Sequence, residues 1–376
     1  MHSIIHVCSR LTVYSLGSQN PAPWYTEIPS CDNFDELDLG LGSVQNCFVD
    51  RFGNEEGSDK FGAHMLFHSV TYAKVEYMEI HHAGQASELG RYPIHFHNSY
   101  DQPDSYLRGL GIWQTFNRAM TLHAVNNCLF ENNVAYNNMG HAYFMEDGVE
   151  TGNVVRYNLA IMTKIASSLL SVDQTPTSFW IVNANNEYYG NHAAGAAGFG
   201  FWLNPPKRST GSNVRDDYCP REIPVKRFSE NTAHSNGVYG IWIFEDYTPR
   251  KDNWDGTCNS GNGLAGANHP LETFTAWGNL RGCELSMGDG VHMKGFVAAD
   301  NEISGLAIKE NHRGDNFEVD SSSYVDSVVI GHSGKFFTNE FTIFPFYRFY
   351  RFTLDNSYKI IFRLSSYQNK LPCLRY

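Results

Sequence analysis

The sequence has few charged residues and no long basic segment. Asp, Glu, Lys and Arg make up 18% of its 376 residues, and the formal net charge is −12. Nucleic-acid binding needs a footprint of Lys and Arg that faces the phosphates. We therefore expect no nucleic acid among the partners. The acidic balance also disfavours a polyanionic ligand, unless a local basic groove exists.

Signals for export and for membrane insertion are also missing. No run of about 18 apolar residues occurs, so we expect no membrane span within the chain. The N-terminal residues lack the apolar core of a signal peptide, and no Asn-x-Ser/Thr acceptor site is present. An export signal, if the domain is secreted, is expected to lie outside this chain.

None of the eight cysteines forms a C-x-x-C motif. This disfavours a zinc ribbon and a thioredoxin-like motif. Cys219 and Cys258 lie in polar segments rich in Pro and Gly, and they are the pair we expect first as a disulfide. Cys128 lies in an apolar run, which favours a buried thiol.

The sequence does contain internal repeats. Residues Glu131–Asp147 and Glu230–Asp246 both begin with Glu-Asn, continue through Ala, Asn and Gly into an apolar run, and end with Glu-Asp. Weaker copies begin at Gly190, Phe274, Phe296 and Val328. Such self-similarity indicates a repeat architecture, in which stacked units bury what one unit cannot.

Each repeat consists of a short strand, an Asn/Gly turn and another short strand. Asn and Gly tolerate the left-handed backbone of tight turns, and the small Ala residues suit a narrow interior. Helical periodicity is missing, which disfavours βαβ folds. Propellers and sandwiches fit the irregular repeat intervals less well. We predict an all-β, right-handed parallel β-helix with long loop insertions.

The repeats place the β-helix at residues 61–334. Residues 1–60 are rich in Pro, Gly and Asp and are predicted to be irregular. Residues 204–227 and 247–270 are predicted to be long loops, which are common places for binding sites. Residues 335–376 are dense in aromatic and basic residues. We interpret them either as a cap over the last coil or as read-through of non-coding DNA.

The histidines of the first repeats are candidates for a metal site. His95 and His97 are separated by one residue, so on a strand they point to the same face. A neighbouring coil, stacked about 4.8 Å away, could supply a third ligand from His123 or His141. We predict His95, His97 and His141 as ligands of a divalent metal, Zn or Ca. The alternative is that the paired histidines hydrogen-bond along the stack with a purely structural role.

Acidic and aromatic residues near these histidines suggest further roles. Glu146, Asp147 and His141 are the catalytic candidates, because a carboxylate beside imidazoles can act as a general acid or base. The matching pair Glu245–Asp246 favours a structural turn role instead. The ligand-binding candidates are Arg118, His123 and Trp113. Arg can bind a uronic acid carboxylate, or it can form an internal salt bridge.

Five segments occur in the same order as in a known family: Gly90–His97 (GRYPIHFH), Asn117–His123, Met145–Ile161, Thr175–Asn186 and Gly240–Pro249. They resemble the parallel β-helix region of the fibrocystin-L family, over about residues 61–334. That family is related to the transmembrane hyaluronidase and to the cell migration-inducing hyaluronan-degrading protein. It places a G8 domain before the β-helix, and a remnant of that junction is expected around Ser9 to Gly17.

The resemblance implies an extracellular or cell-surface, membrane-associated module. Its expected role is receptor-like recognition of a hyaluronan-like glycan or an extracellular protein. The alternatives are a hyaluronan-degrading glycosidase and an inactive fragment. The segment around His141 is closer to the hyaluronidases, whereas the acidic charge and the missing G8 domain favour binding. Whether the chain is an enzyme stays open at this point.

Overall fold

The computed structural model describes residues 62–331, apart from 87, 167–170, 262, 266–267 and 311–321, and six short strands outside that range. The described residues form strands, turns and three 3-10 helices, which span Ser171–Gln174, Gly211–Asn213 and Pro220–Glu222. Within them, no helix is long and apolar enough to cross a membrane.

Three parallel sheets run along the molecule. The first has seven strands, in the order β1 (Ile5–Val7), β6 (Ala73–Glu76), β9 (Tyr106–Arg108), β12 (Leu129–Glu131), β15 (Val154–Arg156), β18 (Glu187–Tyr189) and β21 (Arg227–Ser229). A separate sheet of three parallel strands contains β24 (Leu271–Glu272), β27 (His292–Lys294) and β30 (Ser323–Val325).

The second sheet has ten strands, in the order β2 (Leu11–Tyr14), β7 (Met78–His81), β10 (Gly111–Trp113), β13 (Val134–Tyr136), β16 (Leu159–Ile161), β19 (His192–Ala194), β22 (Asn231–His234), β25 (Phe274–Trp277), β28 (Val297–Ala299) and β31 (Val328–Ile330). The third has nine strands, which in chain order are β5 (Met65–His68), β8 (Ile94–Asp101), β11 (Met120–Asn126), β14 (Tyr143–Met145), β17 (Thr177–Ile181), β20 (Phe199–Leu203), β23 (Tyr239–Tyr247), β26 (Arg281–Gly288) and β29 (Ser304–Glu310).

Successive strands visit the three sheets in turn. β6, β7 and β8 form one coil, and β9, β10 and β11 form the next, each strand pairing in parallel with its counterpart in the neighbouring coil. This is a parallel β-helix, so the predicted all-β solenoid is confirmed. Two antiparallel pairs stand apart from the three sheets: β3 (Phe48–Val49) with β4 (Glu55–Glu56), and β32 (Thr353–Asp355) with β33 (Lys359–Ile361).

The core is built from side chains that repeat at the same height in every coil. On the third sheet the rings of Tyr143, Phe179 and Phe201 stack with centroids 4.7 and 4.6 Å apart. On the second sheet an unbroken row of alanines faces inward: Ala135, Ala160, Ala193, Ala233, Ala276 and Ala298. All six are fully buried. A larger side chain there would overpack the narrow interior.

Buried asparagines connect the coils at a turn between the first and second sheets. Asn133, Asn158, Asn191 and Asn231 form a ladder in which each side-chain amide donates to the Oδ1 of the next, over 3.0–3.1 Å. The backbone N–H of each of the first three also donates to that oxygen. The ladder satisfies polar groups that the turn would otherwise leave buried without partners.

The N-terminal segment contributes to the first two sheets. β1 pairs in parallel with β6, and β2 pairs with β7, so residues 5–7 and 11–14 add to the stack. The sequence did not predict these strands, because they lack the Asn/Gly turns of the repeats. The junction expected around Ser9–Gly17 lies outside the described residues, except for β2. Residues 335–376 also lie outside them, except for β32 and β33.

The cysteine predictions are confirmed. Cys219 and Cys258 form a disulfide with Cα atoms 5.0 Å apart. Cys128 is a buried free thiol, and so is Cys283. The disulfide joins the two long loops that the sequence predicts at residues 204–227 and 247–270.

Candidate functional site

The third sheet carries histidines on its outward face. Ile94 and Phe96 of β8 point into the core, so the alternating His95 and His97 point outward. The register pairs His97 with His123 on β11 and with His68 on β5. The sequence predicted that His95 and His97 share a face, and the structure agrees.

Three of these histidines form a compact group. One ring nitrogen from each of His95, His97 and His123 lies within 4.8 Å of the other two, in the part of the chain that the structure describes. The rings of His97 and His123 are 4.5 Å apart and nearly perpendicular, and those of His95 and His97 are 5.1 Å apart. His95 and His123 are buried, whereas His97 is half-buried. We call these three residues the histidine cluster.

Each histidine of the cluster has one nitrogen engaged by an outer partner. His95 Nδ1 lies 2.9 Å from the carbonyl oxygen of Gly90, which can only accept, so Nδ1 carries the proton. His97 Nδ1 lies 2.9 Å from Nδ1 of His68. His123 Nε2 lies 2.8 Å from Oδ2 of Asp147. These contacts fix the orientation of all three rings.

Two carboxylates reach the same imidazole from opposite sides. β14 ends at Met145, so Glu146 and Asp147 are freed from the alternation that would point them apart. Besides the contact of Asp147 with Nε2 of His123, Oε2 of Glu146 lies 3.6 Å from its Nδ1. Asp147 is fully buried, and the side chain of Glu146 is 19% exposed.

The first long loop folds over this group. Thr210 donates its backbone N–H to the carbonyl of Asp147, and the amide of Asn213 donates to Oδ2 of the same residue over 2.6 Å. Ser212 Oγ lies 3.1 Å from His123 Nε2. Gly211 has φ of +63°, and a Cβ there would lie 2.0 Å from Oδ1 of Asp147. The expectation that a loop contributes to the site therefore agrees with these contacts.

Burial and local charge set the protonation of the site. Burial lowers the pKa of His95 to about 3 and also lowers the pKa of His97. Burial pulls the pKa of His123 down, but the hydrogen bond to Asp147 and the charge of Glu146 outweigh it, so this pKa is raised. Burial raises the pKa of Glu146. His95 and His97 are therefore neutral at pH 7, and the lone pair of His95 is on Nε2.

Several buried polar atoms at this place have no hydrogen-bond partner among the described residues. They include His95 Nε2, Glu146 Oε2, Asp147 Oδ1 and Thr121 Oγ1. Thr121 pairs with His95 in the strand register. Buried polar atoms are nearly always bonded, so such a concentration marks a place that a ligand or ion can complete.

His141 and Arg118 form a separate buried arrangement. Arg118, 1% exposed, donates from Nε and Nη2 to the two carboxylate oxygens of Asp173 over 2.8 and 2.9 Å. Of the two roles predicted for Arg118, the structure shows the internal salt bridge. His141 is fully buried, with Nε2 3.6 Å from Asp173, and Nδ1 accepts from the backbone N–H of Thr177.

His141 is therefore not among the three clustered histidines; of the two candidates for a third ligand, the structure places His123 beside His95 and His97. Trp113 lies on β10 of the second sheet. It stacks on His81 with ring centroids 4.4 Å apart and donates its indole N–H to Glu79. The structure does not bring Trp113 to the histidine cluster.

A row of aromatic side chains continues the outward face beyond the cluster. Thr121 pairs with Phe144, and the row runs on through Trp180, Trp202 and Trp242. Trp180 and Trp202 are only 6% and 8% exposed, whereas Trp242 is half-buried. Trp180 packs against His141 and Trp202, and the ring of Trp242 stacks on those of Tyr239 and Phe244.

Sequence reasoning missed several residues of the site. His68 contacts Nδ1 of His97. Ser212 and Asn213 contact the site from an irregular loop. Glu150 accepts from the backbone of Ala124, Asp147 and Gly148. Burial raises its pKa to about 7. Glu150 lies three residues from Asp147, and that proximity was the one available signal.

Comparisons with known proteins agree with the β-helix fold. Residues 60–241 match the family model described as CEMIP beta-helix. The matched range contains the histidine cluster, Glu146 and Asp147.

The chain is similar to fibrocystin-L, as its motifs predicted. Fibrocystin-L of Homo sapiens is 37% identical over 326 residues, which are 84% of this chain and 8% of that protein. Fibrocystin-L of Mus musculus is 38% identical over 300 residues, 78% of this chain and 7% of that protein. Cell surface hyaluronidase CEMIP2 of Homo sapiens is 30% identical over 238 residues, 54% of this chain and 17% of that protein. The chain thus spans less than a tenth of the length of the fibrocystin-L relatives.

Proposed function

We propose that the chain is the β-helix module of a cell-surface protein and that it recognises a glycan at the histidine cluster. The observation that carries this proposal is the group of unpartnered buried polar atoms on the outward face of the third sheet. Folding alone gives no reason to collect them there. A ligand rich in hydroxyl and carboxylate groups would satisfy both the donors and the acceptors among them.

Two further observations support a glycan over an extracellular protein. The unpartnered atoms include both oxygens and a ring nitrogen, which suits the mixed donors and acceptors of a sugar acid. One relative, 33% identical over 220 residues, is named cell migration-inducing and hyaluronan-binding protein. Hyaluronan is therefore the first glycan to test, despite the acidic net charge of this chain.

The proposal predicts a specific loss of binding on substitution of His97. Titration of the full chain with hyaluronan oligosaccharides of defined length should give saturable binding by calorimetry. His97→Ala is expected to weaken it about tenfold or more, because a hydrogen bond of a buried site is worth about 1–1.5 kcal/mol and 1.4 kcal/mol is a factor of ten.

His234→Ala is the matched control for that titration. His234 is a half-buried histidine on the second sheet, stacked on Trp277 with ring centroids 4.0 Å apart. Its removal should leave the affinity unchanged. Equal weakening by both substitutions, or no binding by the unsubstituted chain, would rule out hyaluronan recognition at the cluster.

Glycan cleavage is a second candidate, favoured by one specific observation. One buried oxygen of Glu146 has no hydrogen-bond partner among the described residues, and burial raises the pKa of this side chain. A raised pKa is a property of a general acid. However, Glu146 and Asp147 both contact one imidazole. A glycosidase instead places its two carboxyl groups on either side of the sugar bond.

Recognition and cleavage of hyaluronan predict different results for the length of the polymer after incubation. Incubating the chain with high-molecular-weight hyaluronan, with and without added Zn²⁺ or Ca²⁺, and measuring polymer size should give no fragments if the module only binds. Fragments that disappear with Glu146→Gln would replace recognition by cleavage as the function of this site.

A further inference from the structure

We propose that His95, His97 and His123 bind one divalent metal ion of the zinc type, with Glu146 positioned as a fourth ligand. This goes beyond glycan recognition and rests on the residues of the cluster alone. The metal would occupy the outward face of the third sheet, where strands β8 and β11 pair.

The distances between the ring nitrogens of the cluster are close to those of a zinc site. The three nitrogens lie within 4.8 Å of one another. Zinc–nitrogen bonds of about 2.0–2.1 Å in a tetrahedron place the nitrogens about 3.4 Å apart. The three nitrogens would have to approach by the remaining distance when the cluster binds an ion.

The outer contacts of the rings are those that metal-binding histidines use. A ligating imidazole commonly donates its other N–H to a carbonyl or carboxylate, which fixes the ring and its tautomer. Gly90 plays this part for His95, and Asp147 plays it for His123. His95 Nε2 is then left as a buried lone pair without a partner among the described residues. A metal ion supplies that partner.

The type of donor selects the metal. Imidazole nitrogens suit Zn²⁺ and its neighbours in the transition series, whereas Ca²⁺ takes six to eight oxygen ligands. Few oxygens are available here: Oε2 of Glu146, 3.6 Å from His123 Nδ1, and Oδ1 of Asp147 are the buried carboxylate oxygens without a hydrogen-bond partner among the described residues beside the cluster. Of the two metals predicted from the sequence, the structure therefore favours zinc.

A ligand from solution could displace Glu146 from the metal, while the three histidines remain bound. Three-ligand zinc sites keep their fourth position for water or substrate. A divalent cation there would also place positive charge on a chain whose net charge is −12. This would provide a local site for the carboxylate of an acidic sugar, which the overall charge disfavours.

Metal binding can be measured without any glycan. The full chain, stripped with a chelator and titrated with Zn²⁺ alone, is expected to bind one ion per chain by calorimetry. Co²⁺ as a second probe should give the visible absorption bands of a four-coordinate site. His95→Ala and His97→Ala should each remove the tight site. Asp147→Asn should weaken it by roughly 10–100-fold, as the loss of an outer partner does.

The controls separate this site from weaker contacts and from misfolding. His234→Ala removes a histidine whose ring lies 4.9 Å from that of His192, and it should leave the tight site intact. His97 is half-buried, so its substitution should preserve the far-ultraviolet circular dichroism of the sheets. Absence of stoichiometric binding, or binding that survives both His95→Ala and His97→Ala, would overturn the metal site. Because the readout contains no glycan, either result leaves the hyaluronan titration as a separate test.

Discussion

Replacing Asp173 with Ala is expected to lower the free energy of unfolding by about 3–5 kcal/mol, the usual cost of breaking a buried ion pair from one side. Asp173 is 2% exposed, and it holds the guanidinium of Arg118 through two hydrogen bonds. The guanidinium also lies 3.9 Å from the centre of the Phe144 ring. Removal of the carboxylate would leave a charge that cannot lose its proton buried against aromatic rings.

Denaturation with guanidinium chloride, followed by circular dichroism, measures the effect. Arg156→Ala is a suitable control, because Arg156 pairs with Glu131 at the surface with its side chain 34% exposed. Such pairs contribute about 0–1 kcal/mol. A loss with Asp173→Ala no larger than that of the control would mean that the pair is not structural, and would return Arg118 to the candidates for ligand binding.

The fold was predictable because its repeats carry local signals. Asn and Gly at the turns and Ala at one inward position recur from Glu131–Asp147 to Glu230–Asp246. In the structure the alanines of both copies, Ala135 and Ala233, lie in the same inward row. The shared face of His95 and His97 follows from strand alternation alone. These features need no knowledge of how one coil lies on the next.

The composition of the site depends on the register between coils, which repeats of unequal length do not reveal. His123 lies beside His97 because β8 and β11 pair at those positions. β11 and β14 pair in a register that places Glu146, rather than His141, next to His123 along the stack. Asp173 is 55 residues from Arg118 along the chain, and no local pattern marks it as a partner.

The two Glu-Asp pairs, which the sequence places at matching positions of the repeat, differ in their contacts. Asp246 accepts from the guanidinium of Arg221 over 3.0 Å. Asp147, in the other pair, accepts from His123 and from the loop amide of Asn213. The recurrence of the pair favoured a turn role in both copies, but Asp246 lies within strand β23, where it pairs with Met287. The contacts of Asp147 connect the turn to the histidine cluster.

Asn158→Ala in the asparagine ladder is expected to lower the free energy of unfolding by about 2–6 kcal/mol. Asn158 Oδ1 accepts from the backbone N–H of Asn133, and its amide donates to the carbonyl of Phe130, both over 3.0 Å. Asn158 is 1% exposed, so water cannot replace the missing amide. Each of the two buried groups that lose their partner costs about 1–3 kcal/mol.

Asn132→Gly is the matched control for the ladder. Asn132 is exposed, adjoins the ladder residue Asn133, and has φ of +55°, a conformation that glycine adopts without strain. Its substitution should change the stability by no more than about 0.5 kcal/mol. Comparable denaturation midpoints for Asn158→Ala and Asn132→Gly would mean that the ladder does not hold the coils together. The stack would then depend on the inward alanine and aromatic rows, whose removal should have the larger effect.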